Sequence, residues 1–200
     1  SALITDKVIK GIKAVIPLSP LHNPANLKGI SVCQKLFPDT PQVAVFDTAY
    51  GARLPQAAYD YAIPDPWKTE HHIRRYGFHG TSHSYVSRRA AEILQQPLEA
   101  LRIISCHLGS GASVCATQNG RCVETSMGFT PLEGLVMSSR SGDIDPAIIP
   151  FIAKHEGLSV EEIDNALNRE SGLKALCGTT DFRVAEENAK KGEPAAVQAL

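Results

Sequence analysis

Leu101-Arg-Ile-Ile-Ser-Cys-His-Leu-Gly-Ser-Gly-Ala-Ser-Val-Cys-Ala-Thr-Gln-Asn-Gly-Arg-Cys-Val-Glu-Thr125 switches to a strand period and lays down a sheet. Ile103 to Cys106 is a β-rich run, a glycine turn follows, and Ala112 to Thr117 is a second run. Asn119-Gly120 is the residue pair that a two-residue hairpin turn prefers, and Arg121 to Thr125 completes a three-stranded antiparallel meander. Just upstream, Ser82 to Leu94 reads as a helix with Val86, Ala90, Ile93 and Leu94 inward and Pro97 beyond its end.

Working outward, Thr5 to Ile16 reads as an amphipathic helix capped by Thr5, and a second helix starts with Asn23 as cap and Pro24 at its first position. Leu27, Ile30, Cys33 and Leu36 give that second helix its apolar face. Val43-Ala-Val-Phe46 is expected to be a short buried strand with Asp47 at its C-terminal end, where open sheets bind ligands. Ala57 to Ala62 is a short helix, and Pro64, Pro66 and Trp67 read as a loop before His71-His72. Asp145-Pro146 opens a helix that Gly157 closes, Ser159 to Glu162 is a capping box, and Pro194 to Leu200 opens a last helix. A domain boundary is expected near Asp47 to Pro55.

The 200 residues carry 20 basic and 21 acidic side chains, with no run of Lys or Arg to make a nucleic-acid surface, so a small-molecule partner is expected. The five cysteines form no C-x-x-C pair and sit mostly in apolar runs, as reduced core thiols do. No stretch approaches the roughly 20 apolar residues of a membrane span, and the N-terminus lacks the pattern of a secretory signal, so a cytoplasmic location is expected. The chain has no initiating Met and ends inside a helix opening, so we expect the working protein to be longer.

Four stretches carry chemistry. In Pro20-Leu21-His22-Asn23-Pro24 a histidine meets the positive end of a helix, where it could donate to a phosphate or simply be exposed. Asp47-Thr48 leaves a strand, as a Mg²⁺-binding acid or as a turn cap would. Tyr76-Gly-Phe-His79-Gly-Thr-Ser-His83 places two histidines, hydroxyls and backbone N–H groups ahead of a helix, a concavity for anions. His107-Leu108-Gly109-Ser110-Gly111 is a glycine turn that could cradle phosphates, but it is neither a Walker loop nor a Rossmann turn. Further on, Thr125 to Asp145 packs glycines, hydroxyls and Arg140 into irregular chain. A zinc hydrolase built on His71, His72, His79, His83 and Cys106 fits poorly, because Gly80 stands where a zincin needs Glu.

These stretches resemble the acetate kinase family, which includes propionate and butyrate kinases. The resemblance rests on Pro-Leu-His22-Asn-Pro-Ala-Asn, Val-Phe-Asp47-Thr-Ala, the Tyr76 to His83 motif, His107-Leu-Gly-x-Gly-Ala-Ser, Thr-Ser-Met-Gly-Phe-Thr-Pro-Leu-Glu-Gly134 and Arg140-Ser-Gly-Asp-Ile-Asp-Pro. It implies the two-domain α/β fold shared with sugar kinases, Hsp70-type ATPase domains and actin (ribonuclease H-like), incomplete at both ends. Residues 1–50 would end an N-terminal domain and residues 51–200 would begin the C-terminal, nucleotide-binding one.

The implied reaction is reversible in-line transfer, ATP + acetate = ADP + acetyl phosphate, with Mg²⁺ or Mn²⁺. In the roles the resemblance implies, Asp47 positions the acyl acceptor or the metal, and His79 and Arg140 stabilise the transition state. His22 meets the phosphoryl group, and His107 to Gly111 hold ATP phosphates. Asp181, Phe182 and Arg183 lie beside the adenosine, and Leu21, Phe78 and Pro131 wall the acyl pocket. A homodimer is implied as well. Propionate or butyrate kinase, and a non-catalytic nucleotide-binding module of the same fold, are the alternatives. The piece alone is expected to have little kinase activity. The sequence departs from the family pattern at Gly51 to Pro55, where His and then Thr-Met-Pro are usual, at Ser110 for Asn, at Ser138-Ser139 for Gly-Thr, and at Lys174 to Cys177.

Overall fold

A computed structural model describes residues 1–19 and 22–200. Strand β1 (Ala2–Leu3) pairs antiparallel with β2 (Val43–Ala44), and helices α1 (Asp6–Ala14) and α2 (Asn23–Leu36) pack together between them in sequence. Thr5 caps α1 by accepting from the Val8 N–H. Asn23, expected from sequence to cap α2, does not do so; it lies inside the helix and its amide donates to the Val15 carbonyl, with His22 in the cap position. Nor is Val43 to Phe46 a buried strand. Only two residues pair, and Val45 is 61% exposed, because a strand is buried only when neighbours cover it and this ribbon has a single short partner. Likewise Cys33 and Leu36 are exposed on α2, so Cys33 is not a core thiol, and neither is Cys106.

The larger part is built on the predicted meander. Strands β3 (Arg102–Leu108), β4 (Ala112–Gln118) and β5 (Arg121–Thr125) pair in the order 3-4-5, and Asn119 and Gly120 both adopt positive φ (51° and 71°), as a type I′ turn demands. Helix α5 (Gly80–Leu94) packs on this sheet, starting two residues earlier than the sequence suggested. Its inward face is not Val86, Ile93 and Leu94, which are exposed, but Gly80, His83, Ser87 and Ala91. Small residues bring helix and sheet close enough for polar contacts: Ser87 reaches Thr117 at 3.5 Å and Tyr50 reaches Thr117 at 2.9 Å.

Between β2 and α5 run a 3-10 turn (Tyr50–Arg53), α3 (Gln56–Tyr59) and α4 (Asp65–His71). Helix α4 replaces the expected loop, because Pro66 sits in its first turn, where the missing N–H costs nothing. Gly51 is buried in the 3-10 turn, and a Cβ there would collide with the Tyr76 carbonyl. Helices α6 (Ile148–Glu156), α7 (Val160–Arg169), α8 (Gly172–Cys177), α9 (Phe182–Lys190) and α10 (Pro194–Ala199) complete the chain, with the Ser159–Glu162 capping box formed and Gly157 closing α6 at φ 70°. No described helix is long and apolar enough to cross a membrane.

Two small clusters make the core near the site. Leu54, Cys115 and Cys122 form one, with Tyr50 and Tyr59 against it. Ala112, Met127 and Met137 form the other, flanked by Phe78 and Leu135. Met127 (0% exposed) and Met137 (2%) are the apolar plugs that anchor the irregular Thr125–Asp145 segment to the sheet.

Candidate functional site

His79 starts the site from an unusual backbone conformation. As N-cap of α5 it adopts φ 56°, a left-handed geometry that costs a non-glycine residue roughly 1–2 kcal/mol. Asp47 holds it there: the carboxylate accepts from the His79 N–H at 2.8 Å, and the Asp47 carbonyl accepts from the Gly80 N–H at 2.9 Å. The anion thus sits at the positive end of α5, where the dipole favours it.

From that cap the imidazole projects over the β3–β4 turn. Its Nδ1 lies 2.8 Å from the Ser113 hydroxyl, and its ring stacks on His107 with centroids 3.9 Å apart. His107 is fixed in turn by Ser82, 2.9 Å from Nδ1. Burial pushes His79 below the ordinary histidine range, the neighbouring His107 and then Arg140 add to this, and Asp47 opposes it. His83, one turn along α5, is 2% exposed and its two ring nitrogens lie 2.8 Å from Ser105 and Ser113. Burial, with His79 and His107 close by, lowers its pKa to about 4. With both nitrogens engaged by hydroxyls, His83 has no lone pair to offer zinc.

Arg140 arrives from the opposite side at the end of a tight turn closed by the Met137 N–H and the Arg140 carbonyl (3.1 Å). The loop is clasped at its neck, where Gly134 donates to the Asp143 carboxylate at 2.8 Å and the Asp143 N–H returns to the Gly134 carbonyl at 2.9 Å. One guanidinium nitrogen of Arg140 donates to the Pro131 carbonyl at 3.2 Å. Burial lowers its pKa, but a guanidinium keeps its charge. A Cβ built on Gly111 would lie 3.2 Å from Arg140 Nη1 and 3.4 Å from His79 Nε2, so the glycine leaves open a small space that both groups border. A planar cation and an imidazole nitrogen around one gap suit a group carrying negative charge on several oxygens.

The structure therefore brings Asp47, His79, His107, Gly111, Arg140 and Pro131 into one place, with Phe78 packed beneath them in the Met127–Met137 cluster. Leu108, Gly109 and Ser110 form the exposed rim, where the Ser110 carbonyl accepts from the Ser138 N–H at 3.2 Å. Two departures from the family pattern thus meet through backbone, whichever side chains they carry. The other sequence-predicted residues stand apart. His22 is exposed at the start of α2, and Asp181 is occupied in capping α9 and pairing with Arg183 at 2.7 Å, with Phe182 exposed. Among the described residues no hydrogen bond joins any of them to the cluster. Leu21 lies outside the described residues.

Sequence reasoning missed the brace behind this site. Arg75 donates to the carbonyls of Thr125, Ser126 and Met127 at 3.2, 3.3 and 3.4 Å, and its other terminal nitrogen pairs with Glu133 at 2.7 Å. Glu133 also accepts from Tyr61, whose phenol is pushed far above its ordinary range by burial and then by that carboxylate. The only local signal was Arg74-Arg75 beside the Tyr-Gly-Phe-His motif, and nothing in its spacing names Glu133 as partner.

Among the described residues, no group of three or more His, Cys, Asp or Glu side chains is arranged to hold a metal. A nucleotide-associated Mg²⁺ needs less, since it uses one or two carboxylates together with substrate phosphates and water. Asp47 fits that requirement: it is exposed, and one of its oxygens carries the bond to His79, leaving the other available for a hard cation.

Known proteins resemble the chain along its whole length. The model of the Acetokinase family matches residues 1–200. The acetate kinase of Halothermothrix orenii is 58% identical over all of the chain, and that of Deinococcus radiodurans 55% identical over 99% of it. In both cases the chain spans about half, 50%, of the relative's length. Among solved structures, a propionate kinase from Francisella tularensis subsp. tularensis SCHU S4 superposes with a TM-score of 0.95 at 49% identity, covering 99% of this chain and 51% of that one. Porphyromonas gingivalis acetate kinase gives 0.93 at 46% identity, covering 99% and 50%. The fold is the α/β kinase fold that these proteins share over about half their length.

Proposed function

The chain belongs to the acetokinase family, and from that premise we propose that its full-length gene product moves a phosphoryl group reversibly between ATP and a short carboxylate, acetate first. The observation that carries this reading is the convergence of Arg140 and His79 on the space beside Gly111, with Asp47 at the helix start behind it. Phosphoryl transfer asks mainly for positioning and for neutralisation of charge on the equatorial oxygens. Arg140 supplies a fixed cation already half-buried, so its field is weakly screened. His79 supplies a directed ring nitrogen, and Asp47 fixes the backbone that aims it. Bound beside Asp47, Mg²⁺ would neutralise nucleotide phosphate charge.

Within the same proposal, His107 to Gly111 carry the phosphates, and Phe78 and Pro131 border the acyl group. What supports that is their contiguity with Arg140 and His79. The division into residues 1–50 and 51–200 is also part of it. In support, α1 pairs with α2 and β1 with β2 among themselves, whereas the 3-10 turn from Tyr50 packs on β5 and α5. His22 and Asp181 to Arg183 remain proposals on resemblance alone, as do a homodimer and a cytoplasmic location. The Francisella tularensis relative keeps propionate as the second acceptor to test.

The test is hydroxamate-coupled acyl phosphate formation by the full-length gene product with Mg-ATP and acetate, propionate or butyrate, beside its Arg140→Ala variant. We expect product from the parent and a loss of about 10³-fold or more in kcat from the variant, with KM for ATP little changed. A folded full-length parent that makes no acyl phosphate would leave only the nucleotide-binding module.

A further inference from the structure

A buried line of four groups runs from the sheet to the site. Ser105 Oγ lies 2.8 Å from His83 Nδ1, His83 Nε2 lies 2.8 Å from Ser113 Oγ, and Ser113 Oγ lies 2.8 Å from His79 Nδ1. Ser113 (0% exposed), His83 and Ser105 are all shut away from solvent. A serine hydroxyl owns one hydrogen and two lone pairs. Ser113 stands between two imidazole nitrogens and can donate to only one of them, so the other must carry its own hydrogen. The tautomers of His79 and His83 are therefore locked to each other through one shared atom.

Two arrangements satisfy that count. In the first, Ser105 gives its hydrogen to the Cys115 carbonyl, a long contact at 3.4 Å, and every hydrogen points away from the site. His79 then carries Nδ1–H and shows the cleft a bare lone pair, which repels a phosphoryl oxygen. In the second, Ser105 O–H donates to His83 Nδ1, His83 Nε2–H to Ser113, and Ser113 O–H to His79 Nδ1. Nε2 of His79 then carries the hydrogen, on the side that faces the space beside Gly111 and Arg140. The three 2.8 Å bonds form in both arrangements; the second gives up only the 3.4 Å contact of Ser105, longer than a good O–H···O bond, and in return turns a donor toward the gap, where a phosphoryl oxygen favours it. Stacking on His107, itself held by Ser82, keeps the ring from flipping to exchange its two nitrogens.

We propose that Ser113, His83 and Ser105 are positioning residues that hold His79 in the Nε2–H tautomer, so that an uncharged ring donates to the transferring phosphoryl group. The proposal rests on the kinase reading for what occupies the gap, but the coupling of the two tautomers through Ser113 is a property of the resting protein. No bond other than hydrogen bonds changes, and no proton leaves the chain. His83, being one turn from the cap on the same face of α5, transmits the orientation of the sheet to the helix start.

The experiment is nitrogen-15 histidine spectroscopy of the full-length gene product, comparing the parent with Ser113→Ala and Ser105→Ala, together with steady-state kinetics using Mg-ATP and acetate. We expect His79 of the parent to be the Nε2–H tautomer, and both variants to move it toward Nδ1–H. Both should lose about 10- to 100-fold in kcat, the loss typical when the partner that orients a working histidine is removed, with KM for ATP within about twofold. A parent His79 in the Nδ1–H form overturns the proposal, and this reading needs no variant to fold. Folded variants that retain the parent tautomer and kcat overturn it too. A parent with the expected tautomer but no acyl phosphate formation would sink the kinase reading and leave the relay standing.

Discussion

Replacing Gly80 by alanine sets two physical arguments against each other. Gly80 opens α5, and by intrinsic helix propensity alone alanine there should stabilise the protein by up to about 1 kcal/mol. The contacts say the opposite. A Cβ at position 80 would overlap the Asp47 carbonyl oxygen and lie 2.9 Å from Tyr50 Cβ and 3.2 Å from the Tyr50 nitrogen. Ordinary non-bonded carbons prefer about 3.5–4.0 Å, so Asp47 or the helix start must retreat by roughly 1 Å. Such overpacking costs about 1–3 kcal/mol, and retreat also weakens the two bonds that tie Asp47 to His79 and Gly80. Set against the propensity gain, the net expectation is a loss of about 1–2 kcal/mol in urea unfolding of the full-length gene product. Turnover should suffer more. A displacement near 1 Å at a group that faces the reacting atoms is worth about 10²-fold, so the hydroxamate assay should show kcat falling by that order. A Gly80→Ala protein that is more stable than its parent and equally active would refute the Asp47 clamp as the device that places His79.

Arg75→Ala should cost about 2–3 kcal/mol in the same unfolding assay, because three loop carbonyls and Glu133 lose their common donor. The KM for the carboxylate should rise as the Thr125–Glu133 segment loosens; a loss below about 0.5 kcal/mol would mean that the brace is idle. Acid should also weaken the fold through His83, whose pKa falls from an ordinary 6.5 to about 4 in the native state. The unfolded chain then binds a proton that the native one refuses. This contribution is complete above pH 6.5 and is lost as pH drops toward 4, by about 3 kcal/mol in all. Denaturation of parent and His83→Gln at a series of pH values should show that slope in the parent and its absence in the variant.

What was legible in the sequence is what local chemistry dictates. The Asn119-Gly120 turn, the Ser159 capping box and the Thr5 cap each satisfy backbone groups within four residues, and each formed as read. The assembly of Asp47, His79 and Arg140 could be expected from motif resemblance, but its geometry could not, since the three come from a strand exit, a helix cap and a loop neck. Apolar periodicity misled on α5. Its inward face is chosen by hydrogen bonds from His83 and by the close fit of Ser87 and Ala91, so Ile93 (68% exposed) and Leu94 are left outside. Arg75 and Glu133 were invisible because a bond across many residues of irregular chain leaves no period behind.

Gly51 has a consequence for which substitutions the segment before His79 can accept. The family resemblance led us to expect histidine there, but the Tyr76 carbonyl occupies the space a side chain would need, and Arg74 donates to the Gly51 carbonyl at 3.3 Å. Histidine introduced there alone would push on the segment that leads into His79, so the substitution fits only if that segment moves with it. The glycine works as a latch on that segment: a side chain is admitted at position 51 only together with a change near Tyr76.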